Sequence, residues 1–276
     1  MGLFIASLNS GSNGNCYYVG NQKEAILLDA GLCCKETETR MDRLGLSMQK
    51  VKAIFISHEH TDHIKGVAVL SKKHQIPVYV TEPTRRQGKI KLESSLSKTF
   101  TAASPVTIGN LVITAFAKLH DAADPYSFIV TCNAVTIGVF TDIGTPCQQL
   151  THYFKQCHAA FLEANYDDEL LDNGGYPYFL KKRITGGLGH LSNKQALELF
   201  VTHKPPYLSH LILSHLSKNN NCPELVGNLF RQHANGVHIA VASRDMETVL
   251  YEIVGANQQE SGRYSLTASQ MALAFG

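Results

Sequence analysis

Tryptophan is missing from this chain of 276 residues, and charge is scarce. Charged residues make up 17% of the sequence, below the roughly 25% of an ordinary soluble domain. The formal net charge is only +2, so the molecule as a whole does not attract a polyanion strongly, and any such attraction must be local. Apolar runs are short, such as Ala53–Ile56 and Leu211–Leu213. None can span a bilayer, and no membrane partner is expected. The first residues, Met1-Gly2-Leu3-Phe4-Ile5-Ala6-Ser7, place no basic stretch before the apolar ones, so no secretory leader is expected. The seven cysteines follow no framework spacing, and the adjacent Cys33 and Cys34 are poorly placed to pair. Free thiols in a reducing, cytoplasmic setting are expected.

Against these absences stand 44% hydrophobic residues and thirteen histidines. The apolar share with low net charge excludes a disordered chain. The length suits one α/β domain over residues 1–276, built as two pseudo-equivalent halves (about 1–121 and 124–276) with one core. Strands are expected at Leu3–Leu8, Cys16–Val19, Ala25–Asp29, Pro77–Val80, Leu111–Phe116, Ser127–Val130, Ala134–Phe140, Ala159–Glu163, His210–Ser214 and Val237–Val241. Val51–Ser57 is nearly all apolar and reads as a central strand covered on both faces. Cys132-Asn133 reads as a tight hairpin turn. One helix is expected over Ile64–Lys73, a second after a capping box at Ser192 and Gln195, and a third behind Pro223. Two mixed sheets packed together with helices outside satisfy this order.

The histidines concentrate in Ser57-His58-Glu59-His60-Thr61-Asp62-His63, directly after the central strand and at the start of a helix. Ligands collect at the carboxyl ends of strands in such folds. So many imidazoles and acids are costly to bury without an opposing charge, and a divalent cation supplies one. His58 and His60 can converge on one ion, while Asp62 and His63 turn toward a second. Mixed carboxylate and imidazole donors suit Zn, Mn, Fe or Ni.

The pattern H-x-H-x-D-H resembles the signature of the metallo-β-lactamase-fold hydrolases, dinuclear enzymes with an αββα sandwich. Three further strand ends supply residues in the order of that family: His120 in Lys118-Leu119-His120-Asp121, Asp142 in Phe140-Thr141-Asp142, and His215 in Leu213-Ser214-His215. The resemblance implies two divalent ions. His58, His60 and His120 would hold one, and Asp62, His63 and His215 the other. Asp142 would bridge them, and a hydroxide between the ions would be the nucleophile. It also implies that Asp62 orients this nucleophile. His190, in Gly189-His190-Leu191-Ser192-Asn193, resembles an additional catalytic histidine of phosphodiesterase branches, where it protonates the leaving oxygen. Asp121 reads as an acceptor for a ligand imidazole or as a solvated loop carboxylate.

Longer matches are Ser10-Gly11-Ser12-Asn13-Gly14-Asn15-Cys16, His58–Gly66, Glu163-Ala164-Asn165-Tyr166-Asp167, Leu180–Ile184 and His215-Leu216-Ser217. Together they resemble the YycJ/WalJ (VicX) type of this fold, whose members are regarded as DNA exonucleases acting from the five-prime end. Tyr166 departs from that pattern, standing where a histidine is expected. The candidate substrate contacts are Ser12, Asn13, Asn15, Asn165, Lys181 and Arg183. The Ser10–Asn15 loop offers backbone N–H groups to a phosphate or is a plain connection. Tyr176, Tyr178 and Phe179 are expected in the core, with base stacking as the alternative.

The implied function is a dinuclear-metal phosphodiesterase acting on DNA, with a homo-oligomer as a further possibility. The competing readings are a small-molecule or cyclic-nucleotide phosphodiesterase or esterase, a non-catalytic metal-binding regulator, and a di-iron oxygen-reducing protein. The last normally carries Glu where His60 stands. His74, His152, His158, His203, His210, His233 and His238 receive no functional assignment.

Overall fold

Alternation along the strands decides the architecture. In the computed structural model, which describes residues 2–255, the strands form two sheets of seven. The first sheet uses β1 (Leu3–Asn9), β2 (Cys16–Gly20), β3 (Ala25–Leu28), β4 (Val51–Phe55), β5 (Val78–Tyr79) and β6 (Ser97–Lys98). The second uses β7 (Val106–Ile108), β8 (Leu111–Ala117), β9 (Tyr126–Cys132), β10 (Val135–Phe140), β11 (Ala159–Glu163), β12 (His210–Ser214) and β13 (His238–Val241). The last strand, β14 (Tyr251–Ile253), returns to pair with β1 in the first sheet. The sheet orders are β14-β1-β2-β3-β4-β5-β6 and β13-β12-β11-β10-β9-β8-β7. In each, one end is antiparallel (β14 to β3, β7 to β10) and the other parallel (β3 to β6, β10 to β13).

Every second side chain faces the other sheet. Ile5, Tyr17, Val19, Ile26, Leu28, Ala53 and Phe55 meet Ile113, Phe128, Val130, Ile137, Val139 and Phe161 in one inter-sheet core. The alternate residues Tyr18, Leu27 and Ile54 pack outward under α1 (Cys34–Arg43), and Ala160, Leu162, Leu211 and Leu213 pack under the helices of the other side. The result is an αββα sandwich, the fold class expected from the strand order.

Short helices α2 (Thr61–Ile64) and α3 (Val67–His74) replace the single helix expected over Ile64–Lys73. Gly66 breaks it: its N–H donates to the Ala30 carbonyl, and a Cβ there would overlap the Leu32 carbonyl. Helices α4 (Glu82–Gln87), α5 (Gln148–Phe154), α6 (Asp168–Asn173), α7 (Tyr178–Thr185), α8 (Asn193–His203) and α9 (Pro223–Arg231) follow. The capping box of Ser192 and Gln195 opens α8, and Pro223 opens α9. The hairpin after β9 turns at Asn133-Ala134, one residue later than expected, because Cys132 still pairs with Val135.

The core burial expected for Tyr176, Tyr178 and Phe179 is overturned, and Tyr176 is half-buried in the cleft lining. Tyr178 and Phe179 are 74% and 73% exposed, and no residue of α7 is buried. This helix borders a cleft instead of the core, so its apolar residues have no sheet to cover. Among the described residues no helix is long and apolar enough to cross a membrane.

The loop after β3 locks onto the segment that follows β4. Ala30 N–H donates to the His63 carbonyl and Asn15 N–H to the Asp62 carbonyl, with Gly31 pressed against both Asp62 and Asn15. A side chain at Gly31 has no room. Gly31→Ala should therefore cost about 1–3 kcal/mol of stability and disturb Asp62. Urea unfolding of the two proteins measures the difference.

Candidate metal centre and active-site cleft

The site is assembled from strand ends. Residues Ser57–His63 follow β4, His120 follows β8, Asp142 follows β10, Glu163 closes β11 and His215 follows β12. Three of the turns are sharp: Asp29, Asp142 and His215 have φ of 62°, 55° and 57°. A left-handed conformation at a non-glycine residue costs about 1–3 kcal/mol and is kept where the surroundings enforce it. Here it turns each side chain into the space between the sheets' ends.

Two donor groups result, each with its ligand atoms within 4.8 Å of one another: His58, His60 and His120, and Asp62, His63 and His215. In the first, His60 Nδ1 is 3.1 Å from His58 Nε2 and 3.3 Å from His120 Nε2. In the second, Asp62 Oδ2 is 3.5 Å from His63 Nε2 and 3.6 Å from His215 Nε2. Asp142 lies between them, with Oδ2 3.3 Å from His63 Nε2 and Oδ1 3.8 Å from His120 Nε2.

The residues fit divalent cations. Asp142 Oδ2 and His215 Nε2 are buried without a hydrogen-bond partner, and such orphans need a reason. Burial drives His58 well below the ordinary imidazole pKa and His120 down to about 4, leaving both neutral as ligands require. Burial also opposes charge on His63, yet Asp142, Asp29 and Asp62 pull it up to about 10. A field that holds a proton there also favours a metal cation in its place.

Outer partners fix the rings. Asp29 Oδ2 is 2.7 Å from His63 Nδ1 and accepts from Ser57 Oγ, which is itself 2.8 Å from His58 Nδ1. His120 Nδ1 is 3.1 Å from the Gly189 carbonyl. Glu163 is fully buried and holds four groups. Its Oε1 lies 2.8 Å from His190 Nδ1 and 2.9 Å from His215 Nδ1, and its Oε2 accepts from the Ile143 and Leu191 N–H groups. Burial would raise its pKa, but His190 and His215 hold it down to about 2. Sequence reasoning assigned no role to Asp29 or Glu163. Their signal was an acid closing an otherwise apolar strand, as in Ala-Ile-Leu-Leu-Asp and Ala-Ala-Phe-Leu-Glu. Lys118, also unassigned, is buried and donates to the Thr141 carbonyl.

A cleft of about 410 Å³ opens above these groups, lined by His60, Asp62, Asp142, His190 and His215 on its floor and by Tyr176, Leu180, Arg183 and Ile184 on one wall. A cavity of about 530 Å³ between α3 and residues 91–96 contains none of them. The expected substrate contacts separate here. Ser12, Asn165 and Arg183 line the cleft. Asn15 turns inward and donates to Asp62 Oδ2, and Asn165 also donates to the His215 carbonyl. Asn13 donates to the Arg244 carbonyl, and Lys181 to the Asp172 carbonyl at the end of α6. Asp121 is ion-paired with Arg183 at 2.6 Å and is also 3.5 Å from His120 Nε2. Tyr166 is buried, and its backbone bridges to Ser192.

This arrangement is that of a metallo-β-lactamase-fold hydrolase, and residues 24–215 match the model of the beta-lactamase superfamily domain, to which the chain belongs. It is thus a metal-dependent hydrolase whose donor cluster suits divalent ions. Within that class it is 35% identical over 230 residues to exodeoxyribonuclease YycJ of Bacillus anthracis, covering 82% of this chain and 86% of that protein. Exodeoxyribonuclease WalJ of Streptococcus pneumoniae is 33% identical with the same coverage. Among solved structures, the metallo-beta-lactamase fold protein YhfI of Bacillus subtilis aligns with a TM-score of 0.71 at 16% identity, over 91% of this chain and 99% of that one. A diphosphatase of the PhnP family aligns at 0.64 with 17% identity, over 92% and 100%. At such identities the structures share the fold.

Asp29→Asn removes the anion that holds His63 while keeping the shape. Metal affinity should fall roughly 10–100-fold. Titration against a competing chelator measures it, and unchanged affinity would exclude the role given to Asp29.

Proposed function

We propose that this chain is a DNA exonuclease that hydrolyses phosphodiester bonds from the five-prime end with two divalent ions, zinc or manganese, and acts in a reducing cytoplasm. The observation that carries the reading is the Glu163–His190 pair at the edge of the cleft. A phosphodiester leaves as an alkoxide and needs a proton. With His190 Nδ1 held by Glu163, Nε2 is the ring nitrogen left to give that proton. The two relatives named as exodeoxyribonucleases, matched over most of their length, support DNA as the substrate.

Ions on the two donor sets would polarise a phosphoryl oxygen and supply a water acidic enough to react at neutral pH. The chain's own residues do the rest. Asp62, steadied by Asn15, directs the attacking oxygen. Asp142 spaces the two donor groups. His190 stands beside His215 and His120, with ring centroids 5.2 Å and 5.3 Å away. The seven free cysteines fit a reducing compartment. The two halves, joined by one inter-sheet core, are taken as one domain. A small phosphodiester is the second reading, favoured by a cleft volume of about 410 Å³, within the range of small-molecule pockets.

His190→Ala should lower nucleotide release from an end-labelled duplex by roughly 10²–10⁴-fold. Asp62→Ala should abolish it, with folding intact by circular dichroism. A chelator should stop the reaction of the parent protein and added manganese or zinc restore it. Comparing five-prime with three-prime labels reads the polarity. If only cyclic nucleotides or small diesters are cleaved, the second reading holds.

A further inference from the structure

The aromatic residues of α7 have no place in the folding of the chain. Tyr178 and Phe179 are exposed beyond any need of solubility, and the helix buries none of its residues. Its inner face is accounted for: Leu180, Arg183 and Ile184 fall at helical spacing and line the cleft. Phe179 is one turn before Arg183, so it sits where the cleft wall meets the outer surface. Tyr178 is one turn before Lys182, whose Nζ lies 5.5 Å from the tyrosine ring centroid. The helix Tyr-Phe-Leu-Lys-Lys-Arg-Ile-Thr carries three consecutive cations and no acid.

We infer that Phe179 and Tyr178 form a nucleobase-stacking subsite, which grips the unpaired end of a strand as it enters the cleft. The inference rests on the DNA reading above. A stacking platform needs an exposed aromatic face and cations for the adjoining phosphates, and α7 offers both within one turn. The floor of the cleft cannot provide this grip, because it is lined by Asp62, Asp121 and Asp142. Arg183 is available for exchange: its guanidinium is exposed and rests on Asp121 at 2.6 Å, a contact that an incoming phosphate can replace. Lys181 and Lys182 argue against a second copy of this chain as the occupant, since lysine is depleted at the centres of protein interfaces.

The test uses the full chain and three proteins: the parent, Tyr178→Ala/Phe179→Ala and Tyr178→Leu/Phe179→Leu. The leucine variant keeps apolar volume and removes the aromatic faces. On end-labelled DNA with an unpaired five-prime end, both double variants should raise KM about tenfold or more, with kcat changed little. Hydrolysis of bis(p-nitrophenyl) phosphate, too small to bridge floor and helix, should stay within twofold. In a His190→Ala background, 2-aminopurine at the strand end should be quenched on binding, and the double substitution should abolish the quenching.

A parent protein that degrades DNA, with KM unmoved in the alanine variant, overturns the subsite and leaves the exonuclease reading standing. Full recovery of KM by leucine overturns stacking. A parent that cleaves the small diester and leaves DNA intact overturns the exonuclease reading and the subsite with it. A fall from dimer to monomer in light scattering of the alanine variant assigns the surface to a second copy and overturns the proposal.

Discussion

The burial of imidazoles and carboxylates at one edge of the two sheets constrains everything else in this molecule. His58, His63 and Asp142 are almost wholly inaccessible, and so are Asp29 and Glu163 beneath them. Such groups cannot be buried singly; each needs a partner or a cation. The chain meets this requirement by alternation. Asp29 faces His63, Asp142 lies between the donor groups, and Glu163 faces His190 and His215. The sheets provide the rigid edge on which this alternation is held. The repeated order of three antiparallel and three parallel pairings brings corresponding strand ends, β4 in one sheet and β10 to β12 in the other, to the same cleft.

That placement is opposed by local backbone preference. The left-handed conformations of Asp29, Asp142 and His215 are each unfavourable, and His215 has no short polar side chain to ease the turn. They persist because hydrogen bonds surround them. Ser57 N–H donates to Asp29, Ile143 N–H donates to Glu163, and His215 N–H donates to Ser10 Oγ. The network therefore has two functions. It orients the donor atoms, and it holds three strained turns in place.

The order His58-x-His60-x-Asp62-His63, then His120, Asp142 and His215, was legible in the sequence through its resemblance to the ligand order of the metallo-β-lactamase fold, each residue following an apolar run. Asp29 and Glu163 stand in the same position and were read as plain strand residues. A single acid at a strand end carries no spacing signal, and only the fold shows which imidazole it meets. Gly66 was legible as a residue and not as a break, because the cause is the approach of the loop at Leu32, distant in sequence. The exposure of α7 was misread for a related reason. A cluster of aromatic residues implies a buried face only where a sheet lies beneath, and here the neighbour is the cleft. Membership of β7 and β8 in the second sheet, and of β14 in the first, depended on pairings that local patterns do not encode.

The cleft is accordingly two-sided. Its floor is rigid, buried and rich in carboxylate, suited to cations and to a reacting phosphate that they neutralise. Its wall at α7 is exposed and basic, and is held to the floor through the Arg183–Asp121 pair. A surface ion pair of this kind is worth about 0–1 kcal/mol, too little to fix the helix against a competing phosphate. His190 belongs to the floor, since Glu163 locks it to the ligand His215 within one carboxylate. In the proposed reaction the proton donor would thereby be tied to the metal-binding residues, while recognition of the strand would fall to a helix that buries none of its residues. On the proposed reading, the floor would fix the bond that is broken and α7 would help select the molecule brought to it, the two being joined where His190 N–H donates to the Ile184 carbonyl.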